Sequence, residues 1–338
     1  MITIDGSLGE GGGQILRTSL ALSLITGQPF RIEKIRAGRK KPGLLKQHLT
    51  CVQAATEIGQ AEVSGDVLGS QSLTFTPDGI KAGRYSFHVG TAGSTSLVLQ
   101  AVLPALWLAD GPTEITLEGG THNPFAPPFP FLERAFLPLV NKMGPFVEAE
   151  LERAGFYPAG GGRVVYRVTP TTQLQPLTLT SRGKLRSRHA TAIVANLPAH
   201  IAERELKHIQ RKLSLDEDSL HADISKDQRG PGNVVTIEIE SENVTEVFTG
   251  FGERGRPAEE VAYQAMIQAK HYLASEAATG EYLADQLLLP LALAGGGAFT
   301  TNTPSAHTTT NIDTIRKFLE VKIEFTETGK NLWLIKID

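Results

Sequence analysis

The feature of this sequence that most constrains its fold is a pattern that recurs three times along the chain. Three segments align without gaps, and each has a polar residue followed by an apolar helical stretch: residues 17–21, 100–104 and 286–290. Each stretch ends near a glycine, at Gly27, Gly111 or Gly295. Glycine in that position is typical of a helix C-cap. The chain is therefore expected to repeat one structural unit.

The residues after each of these helices are also alike. A strand pattern comes next, then a polar loop containing proline, then a second helix and further strands. The predicted strands after the first helix are 29–35, 113–117 and 298–301, the second helices are 44–58, 130–143 and about 311–319, and the later strands are 73–75, 164–168 and 332–337. The unit is therefore strand-helix-strand-helix-strand-strand. Chance similarity between amphipathic helices is the alternative explanation.

The third copy is interrupted. Its first strand, 177–180, is separated from its first helix by about ninety residues with strands predicted at 190–194 and 234–240 and helices at 201–213 and 257–274. We expect an α+β protein in which 1–182 and 276–338 form a large repeat-built catalytic domain. Residues 183–275 are expected to form a smaller inserted α/β domain, with hinges at 181–188 and 276–280.

Composition narrows the class of protein. With 338 residues, 41% hydrophobic and 20% charged, the chain has the composition of a globular protein rather than a disordered one. Because the formal net charge is −3, the protein as a whole does not attract polyanions, and a polyanion would have to bind a local basic patch. The single cysteine, Cys51, excludes an internal disulfide and favours a cytoplasmic location. The longest apolar stretches, 97–109 and 287–294, are too short to cross a bilayer, so no membrane partner is expected.

Two segments near the N-terminus could bind phosphate. Glu10-Gly-Gly-Gly-Gln14 leads into a helix, where glycine lets backbone amides approach an anion. It matches neither the P-loop nor the dinucleotide fingerprint, and a tight structural turn is the alternative. The second segment, 36–48, is rich in arginine and lysine and includes Arg39 and Gln47. Arginine forks bind phosphate, and Arg17, on an apolar helix, could point to the same place. A solvated basic surface is the alternative.

Two further segments, nearer the C-terminus, contain candidate functional residues. His307 lies in a stretch rich in serine and threonine, where a neutral imidazole can act as base or nucleophile. Helix capping or structural hydrogen bonding is the alternative. Glu281-Tyr-Leu-Ala-Asp-Gln286 opens the third repeat's first helix, and Gln100 is the equivalent of Gln286. Asp285 could bind a ligand or cap the helix. Residues 127–131 could form an apolar wall for a base, or pack on the core.

Taken together, these motifs strongly resemble the RNA 3′-terminal phosphate cyclase family. The resemblance rests on 10–17, 36–48, 281–286, the His307 stretch and Phe156-Tyr-Pro-Ala-Gly-Gly-Gly162, and it covers essentially the whole chain. It implies a ligase that uses ATP and Mg²⁺ or Mn²⁺ to convert an RNA 3′-phosphate end into a 2′,3′-cyclic phosphodiester. The implied route is nucleotidyl transfer through a covalent histidine-AMP, with His307 at the nucleophile position. It also implies repeated units like those of enolpyruvyl transferases.

The resemblance assigns roles to individual residues. Glu10, Arg17 and Arg39 match the family's catalytic cluster, with Glu10 as the metal ligand, and Gln47, Arg39 and Arg17 match the phosphate and RNA contacts. The nucleotide contacts map onto Gln100, Pro127, Phe131, Tyr282, Leu283, Ala284, Asp285 and Gln286. RNA 3′-phosphate ends, and other phosphate-ended nucleic acids, are the expected partners of a monomer or homodimer.

Two other functions remain open on sequence alone. One is a non-catalytic RNA-binding or ribosome-assembly protein with a cyclase-like fold, which would bind RNA without consuming ATP. The presence of His307 argues against it. The other is an enolpyruvyl-transferase-like enzyme, which would release phosphate from a small metabolite and form no AMP adduct.

Overall fold

The computed structural model of the protein describes residues 1–226 and 228–338, and its first sheet shows the arrangement that recurs. The sheet has the strand order β1-β2-β4-β3, with β1 and β2 parallel and the other neighbours antiparallel. Its elements are β1 (Ile2–Asp5), α1 (Gln14–Thr26), β2 (Phe30–Glu33), α2 (Lys46–Gly59), β3 (Glu62–Ser64) and β4 (Leu73–Thr76). Strand β2 is shorter than predicted because Lys34 and Arg36 adopt left-handed backbone angles, with φ of 53° and 55°.

The second sheet has the same pattern of neighbours, in the order β5-β6-β8-β7. Its strands and helices are β5 (Arg84–His88), α3 (Thr95–Leu106), β6 (Thr113–Gly119), α4 (Phe129–Phe131), a π-helical turn (Leu132–Phe136), α5 (Leu137–Asn141), β7 (Phe146–Arg153) and β8 (Gly162–Thr169). The prediction of one regular helix over 130–143 is therefore only approximate. Pro138 explains the irregularity, because it has no amide hydrogen to donate to the preceding turn.

The third sheet begins with β9 (Leu177–Leu179), after which the chain forms a separate sheet before returning. That separate sheet has the order β11-β10-β12-β13. Its elements are β10 (Leu185–Ala195), α6 (His200–Leu213), β11 (Leu220–Ser225), β12 (Gly232–Ser241), β13 (Thr245–Phe251) and α7 (Ala258–Leu273). Sequence patterns had indicated β10, α6, β12 and α7 but not β11 or β13. In β11, four of the six residues are exposed, so no alternation of apolar and polar side chains marks it.

The chain then completes the third sheet, whose order is β9-β14-β16-β15. The remaining elements are α8 (Glu281–Leu293), β14 (Gly297–Thr301), α9 (Ala306–Phe318), β15 (Ile323–Gly329) and β16 (Leu332–Ile337). Among the described residues, three of the four sheets therefore share one order of parallel and antiparallel neighbours. The mixed α+β class expected from sequence is confirmed.

Among the described residues, buried apolar side chains form one large cluster, a second, smaller cluster, and a small third group of Phe156, Ala195 and Val234. The large cluster joins the three like sheets to their helices, and includes Leu20 of α1, Val98 of α3 and Leu287 of α8. The second cluster lies within residues 190–272 and joins the separate sheet to α6 and α7. Helix α1 packs against α2, α3 and α9, and α8 packs against α9. These contacts bring the beginnings of α1, α8 and α9 together.

Two of the three predicted helix C-caps are confirmed. Gly27 follows α1 with φ of 67°, and Gly295 follows the end of α8 with φ of 71°. The prediction at Gly111 is wrong, because α3 ends at Leu106. Trp107 and Ala109 stay buried after the helix has ended, so the apolar pattern continues past the true end of α3.

Candidate active site

A cavity of about 1040 Å³ opens where α1, α3, α8 and α9 meet β13 and α7. Glycines shape its floor. Gly13 is the N-cap of α1, so the glycine run leads straight into a helix, as predicted. A Cβ on Gly12 would collide with the Glu10 carboxylate, and a Cβ on Gly13 would lie 2.5 Å from the His48 ring and 2.9 Å from Arg17. A side chain at either position would displace charged or polar groups that line the cavity.

His307 lies in the first turn of α9, not in a loop as the sequence suggested. Helix α9 begins at Ala306, about five residues before the predicted start. The sequence did not predict this start, because Ser and Thr side chains can compete with the backbone for hydrogen bonds and so disfavour helix interiors. In the structure, the Thr309 and Thr310 hydroxyls instead donate to the Ala306 carbonyl within the helix, at 3.1 and 2.7 Å. Ser305 caps the helix by accepting from the Thr308 amide. His307 is thus not the cap, and its side chain is 51% exposed to the cavity.

The histidine is held by a chain of side-chain contacts. Gln14 Nε2 donates to both oxygens of Asp285, at 2.8 and 3.0 Å, and Gln14 Oε1 lies 3.1 Å from His307 Nδ1. Because the Gln14 amide nitrogen faces a carboxylate, its oxygen must face the imidazole. Nδ1 then carries the hydrogen, and Nε2 has a free lone pair.

Asp285 is a buried acceptor rather than a helix cap. It lies within α8, whose N-cap is Gly280, and it receives further amide donors from Asn311 at 3.2 Å and Gln286 at 3.3 Å. Burial raises the pKa of Asp285, while the amide donors from Gln14 and Asn311 and the positive charge of Arg17 oppose that rise. The carboxyl group therefore organises the amides around the histidine.

Glu10 and Arg39 form an ion pair on the other side of the imidazole. Glu10 Oε1 lies 3.9 Å from His307 Nε2, and Arg39 also donates to the Glu10 carbonyl at 3.2 Å. The Arg39 side chain is 43% exposed and that of Glu10 is 17% exposed, so both can reach a ligand in the cavity. A carboxylate and a guanidinium beside a free imidazole nitrogen suit reactions of phosphate esters.

Arg17, Gln100 and Gln286, the first residues of the three aligned segments, meet in space. Arg17 Nε donates to Gln100 Oε1 at 3.2 Å, and Gln100 Nε2 donates to Gln286 Oε1 at 2.6 Å. Burial lowers the pKa of Arg17, which remains a cation at neutral pH. His48 adjoins Arg17, and burial together with the Arg17 and Arg36 charges lowers its pKa to about 3, so His48 is neutral.

Most of the site residues predicted from sequence line this cavity: Glu10, Arg17, Arg39, Gln47, Gln100, Pro127, Phe131, Tyr282, Asp285, Gln286 and His307. Gln47 is anchored there by accepting from the Ser94 amide at 2.6 Å. Leu283 and Ala284, predicted as nucleotide contacts, are not brought to the cavity. The helical period of 3.6 turns them into the large core, where they are 0% and 1% exposed.

Comparisons with known proteins show the family of the chain. A family model described as RNA 3′-terminal phosphate cyclase matches residues 8–325. The chain belongs to the RNA 3′-terminal phosphate cyclase family. It is 53% identical to a protein of that name from Koribacter versatilis (strain Ellin345) over 97% of this chain and 92% of the relative. It is 52% identical to one from Ectopseudomonas mendocina (strain ymp) over 99% of this chain and 98% of the relative.

Membership in the cyclase family confirms the prediction that the chain is an enzyme. The structure also adds residues that sequence reasoning missed. Gln14 was quoted within the glycine motif but was assigned no role, and only its contact with His307 reveals one. None of the site residues matched by the resemblance lies in segment 183–275, yet this segment supplies a wall of the cavity with Val247, Thr249, Phe251, Arg256, Gln264, Ile267 and Gln268.

Glu10 is the candidate ligand for a divalent metal ion. Among residues 1–226 and 228–338, no group of three or more His, Cys, Asp or Glu side chains could hold a metal. Magnesium often binds through only one or two carboxylates plus substrate phosphates and waters. Glu10, partly exposed beside Arg39 and His307, fits that mode of binding.

In the part of the chain that the structure describes, no helix is both long and apolar enough to cross a membrane.

Proposed function

We propose that this protein is an ATP-dependent RNA 3′-terminal phosphate cyclase that acts through AMP bound covalently to His307. The observation that carries the proposal is the position of His307 Nε2. Its lone pair is set free by the Gln14 contact at Nδ1, and it lies 3.9 Å from Glu10 in a cavity lined by Arg17 and Arg39. The names of the two relatives describe the same overall reaction.

The first step would load the enzyme. His307 Nε2 attacks the α-phosphorus of ATP, a P–N bond forms, and the bond to the bridging oxygen breaks as pyrophosphate leaves. Arg17 and Arg39 lie where cationic groups can offset the charge on the phosphates. The open cavity beside Pro127, Phe131 and Tyr282 would hold the adenosine.

Two transfers would complete the reaction. An oxygen of the RNA 3′-phosphate attacks the histidine-bound phosphorus, the P–N bond breaks, and the RNA end becomes capped with AMP. The neighbouring 2′-hydroxyl then attacks the terminal phosphorus and loses its proton, a 2′,3′-cyclic phosphodiester forms, and AMP leaves. This last step is intramolecular, so holding the ribose close to the phosphorus supplies much of the rate. Gln47 and the exposed arginines would hold the RNA phosphate.

A divalent cation would be held by Glu10 together with the phosphates of ATP. When bound, Mg²⁺ or Mn²⁺ supplies compensation for the negative charge of the triphosphate. Arg39 is the present partner of Glu10, and its flexible, half-exposed side chain could turn to the phosphates.

The test is labelling with radioactive ATP. Wild-type protein incubated with Mg²⁺ and α-³²P-ATP should acquire acid-labile label, whereas γ-³²P-ATP should leave none. His307→Ala should acquire no label from either nucleotide, and His208→Ala, which changes a histidine on α6 outside the cavity lining, should label normally. Undiminished labelling of His307→Ala would overturn the assignment of the nucleophile.

The same experiment separates the two other functions. An RNA-binding protein without catalysis, or an enolpyruvyl-transferase-like enzyme, would form no AMP adduct. Neither is favoured by the relatives, which carry the cyclase name over nearly the whole chain. The expected substrates are RNA 3′-phosphate ends, the expected state is a monomer or homodimer, and the expected location is the cytoplasm, where the buried thiol of Cys51 would stay reduced.

For the architecture, we infer that the three like sheets are repeats of one unit and that residues 183–275 are an inserted domain. The shared strand order supports the repeat, and so does the meeting of Arg17, Gln100 and Gln286 at equivalent positions. The separate buried cluster within residues 190–272 supports the insertion.

A further inference from the structure

The loop between β6 and α4 holds one aromatic side chain entirely in solvent. Phe125 is 101% exposed, yet it lines the same cavity as His307. Its backbone is left-handed, with φ of 63°, a conformation that a phenylalanine rarely adopts. An exposed phenyl ring on a strained backbone needs a cause outside local folding.

Both ends of this loop are firmly held. The Phe129 amide donates to the Thr121 carbonyl at 2.9 Å and closes the loop. The Asn123 side chain donates to the Ala92 carbonyl, and the buried His122 ring stacks on Phe156 at a centroid distance of 5.3 Å. The exposure of Phe125 is therefore imposed by an anchored loop rather than by a loose one.

The reaction proposed above brings two nucleosides to one cavity, the adenosine of AMP and the terminal nucleoside of the RNA. Most aromatic side chains of the lining are buried or partly buried. Phe125 and Tyr282 are the ones that stand out as exposed, at 101% and 57%. Tyr282 belongs to the set predicted to hold the nucleotide, which leaves Phe125 for the second base.

We propose that Phe125 is the stacking platform for the 3′-terminal base of the RNA, an inference that rests on the proposed function. Proteins that bind single strands commonly stack bases on exposed aromatic rings beside cations that hold the backbone. Here Arg36 and Arg39 line the same cavity, and Lys40 and Lys41 are exposed in the adjoining segment. Since every base has a π face, the site would accept all four terminal bases.

The experiment separates the two half-reactions. Self-adenylylation is measured with ATP alone, and transfer is measured in a single turnover by mixing adenylylated enzyme with increasing concentrations of a 3′-phosphorylated oligoribonucleotide. The variants are Phe125→Leu, which removes the π face but keeps an apolar side chain, and Phe125→Trp, which restores it. The control is Phe146→Leu, which changes an exposed phenylalanine on β7 outside the cavity lining.

Phe125→Leu should adenylylate itself at the wild-type rate and need about 5- to 100-fold more RNA for half-maximal transfer, as expected for the loss of one base–aromatic stack. Phe125→Trp and Phe146→Leu should behave like wild type. With an RNA whose terminal residue is an abasic ribose 3′-phosphate, wild type and Phe125→Leu should become equal, because neither can form the stack.

Three results would overturn the inference. Slower self-adenylylation of Phe125→Leu would assign the ring to the AMP instead of the RNA. An unchanged dependence on RNA concentration would show that the ring binds no base. An abasic RNA that still distinguishes the variant would show that the effect is not stacking on the terminal base. If wild-type protein forms neither the adduct nor the cyclic product, the proposed function is wrong as well. If wild type is fully active and one of the three results is found, only the role of Phe125 is wrong.

Discussion

His307 Nδ1 lies 3.1 Å from the side-chain oxygen of Gln14, and Gln14 is itself fixed by two contacts to Asp285. The imidazole is therefore oriented before any substrate binds. Gln14 comes from α1 and His307 from α9, nearly three hundred residues later in the chain, so the packing of α1 against α9 also sets the tautomer of the histidine.

Replacing Gln14 tests this arrangement. Gln14→Leu removes the acceptor at Nδ1, and we expect self-adenylylation to slow by roughly 10- to 100-fold, the effect of removing a partner that orients a histidine. The Km for ATP should change less than kcat, because Gln14 acts through His307. Nitrogen-15 shifts of labelled histidine should show a loss of the Nδ1–H tautomer. An unaltered tautomer with normal labelling would contradict the role of Gln14.

Arg39 is expected to act on phosphate and to contribute little to folding. Its ion pair with Glu10 is partly exposed, and such pairs contribute ~0–1 kcal/mol to stability. Arg39→Lys keeps the charge but loses the planar fork, so adenylylation should fall about 10- to 100-fold with an unchanged urea midpoint. Arg31→Lys, at an exposed pair with Glu33 on β2, is the control. If Arg39→Lys is as active as wild type, the basic segment 36–48 is a solvated surface rather than a phosphate site.

The glycine run makes a steric prediction. Gly12→Ala would place a methyl group against the Glu10 carboxylate and within 3.0 Å of Arg39 Nη2, so both side chains must move. We expect a large loss of adenylylation. Gly38→Ala is the matched control, because its Cβ would meet nothing within 4 Å. Rates and thermal unfolding should be measured for both. Equal activity of the two variants would show that the positions of Glu10 and Arg39 are not critical.

Glu246 links the separate sheet to the start of α8, and this contact predicts a pH effect. It accepts from the Gly280 amide at the start of α8, and burial raises its pKa from 4.5 to about 8. Because the pKa is higher in the folded protein than in the unfolded chain, the fold is most stable when this carboxyl is protonated and loses stability when it ionises. This contribution is complete below about pH 4.5 and is lost as the pH rises through 8. Each unit of pKa difference corresponds to ~1.4 kcal/mol.

Glu246→Gln stays neutral, so its free energy of unfolding should fall less steeply than that of wild type between pH 5 and pH 8. Urea titrations across this range measure the two slopes. Glu276→Gln, which changes an exposed carboxyl between α7 and α8, should keep the wild-type slope. If Glu246→Gln also keeps it, Glu246 is ionised in the folded protein and the burial argument is wrong.

Much of this site could be predicted because its residues lie in short motifs. The equivalence of Gln100 and Gln286 was visible as an ungapped alignment, and the two amides do meet, at 2.6 Å. Leu283 and Ala284 were included with their neighbours because a motif does not show which side of a helix faces a cavity. Helical geometry decides that, and it buries both side chains.

Other parts depend on long-range contacts that no local pattern encodes. Thr249 lines the cavity because β13 packs against α4 and the π-helical turn, and Gln268 of α7 donates to the Thr249 carbonyl at 3.2 Å. No motif within segment 183–275 shows this packing. The start of α9 was misplaced because Thr308 to Thr310 have low helix propensity, and tertiary packing overrides it: Thr308 and Thr310 are 0% and 4% exposed.

The final cyclisation can be tested with a substrate that lacks the nucleophile. An RNA ending in a 2′-deoxy 3′-phosphate keeps the phosphate that accepts AMP but has no 2′-hydroxyl to attack the activated phosphorus. It should accumulate as the AMP-capped strand, whereas the matching ribose end should give a phosphatase-resistant cyclic phosphate and free AMP. Because the reacting groups of the ribose end are held within one nucleotide, the capped ribose species should be short-lived. Mass analysis of both strands with equal enzyme and ATP distinguishes these products. Cyclic product from the ribose strand without any capped deoxy strand would argue against an activated phosphate and would require a different route from His307 to the ring.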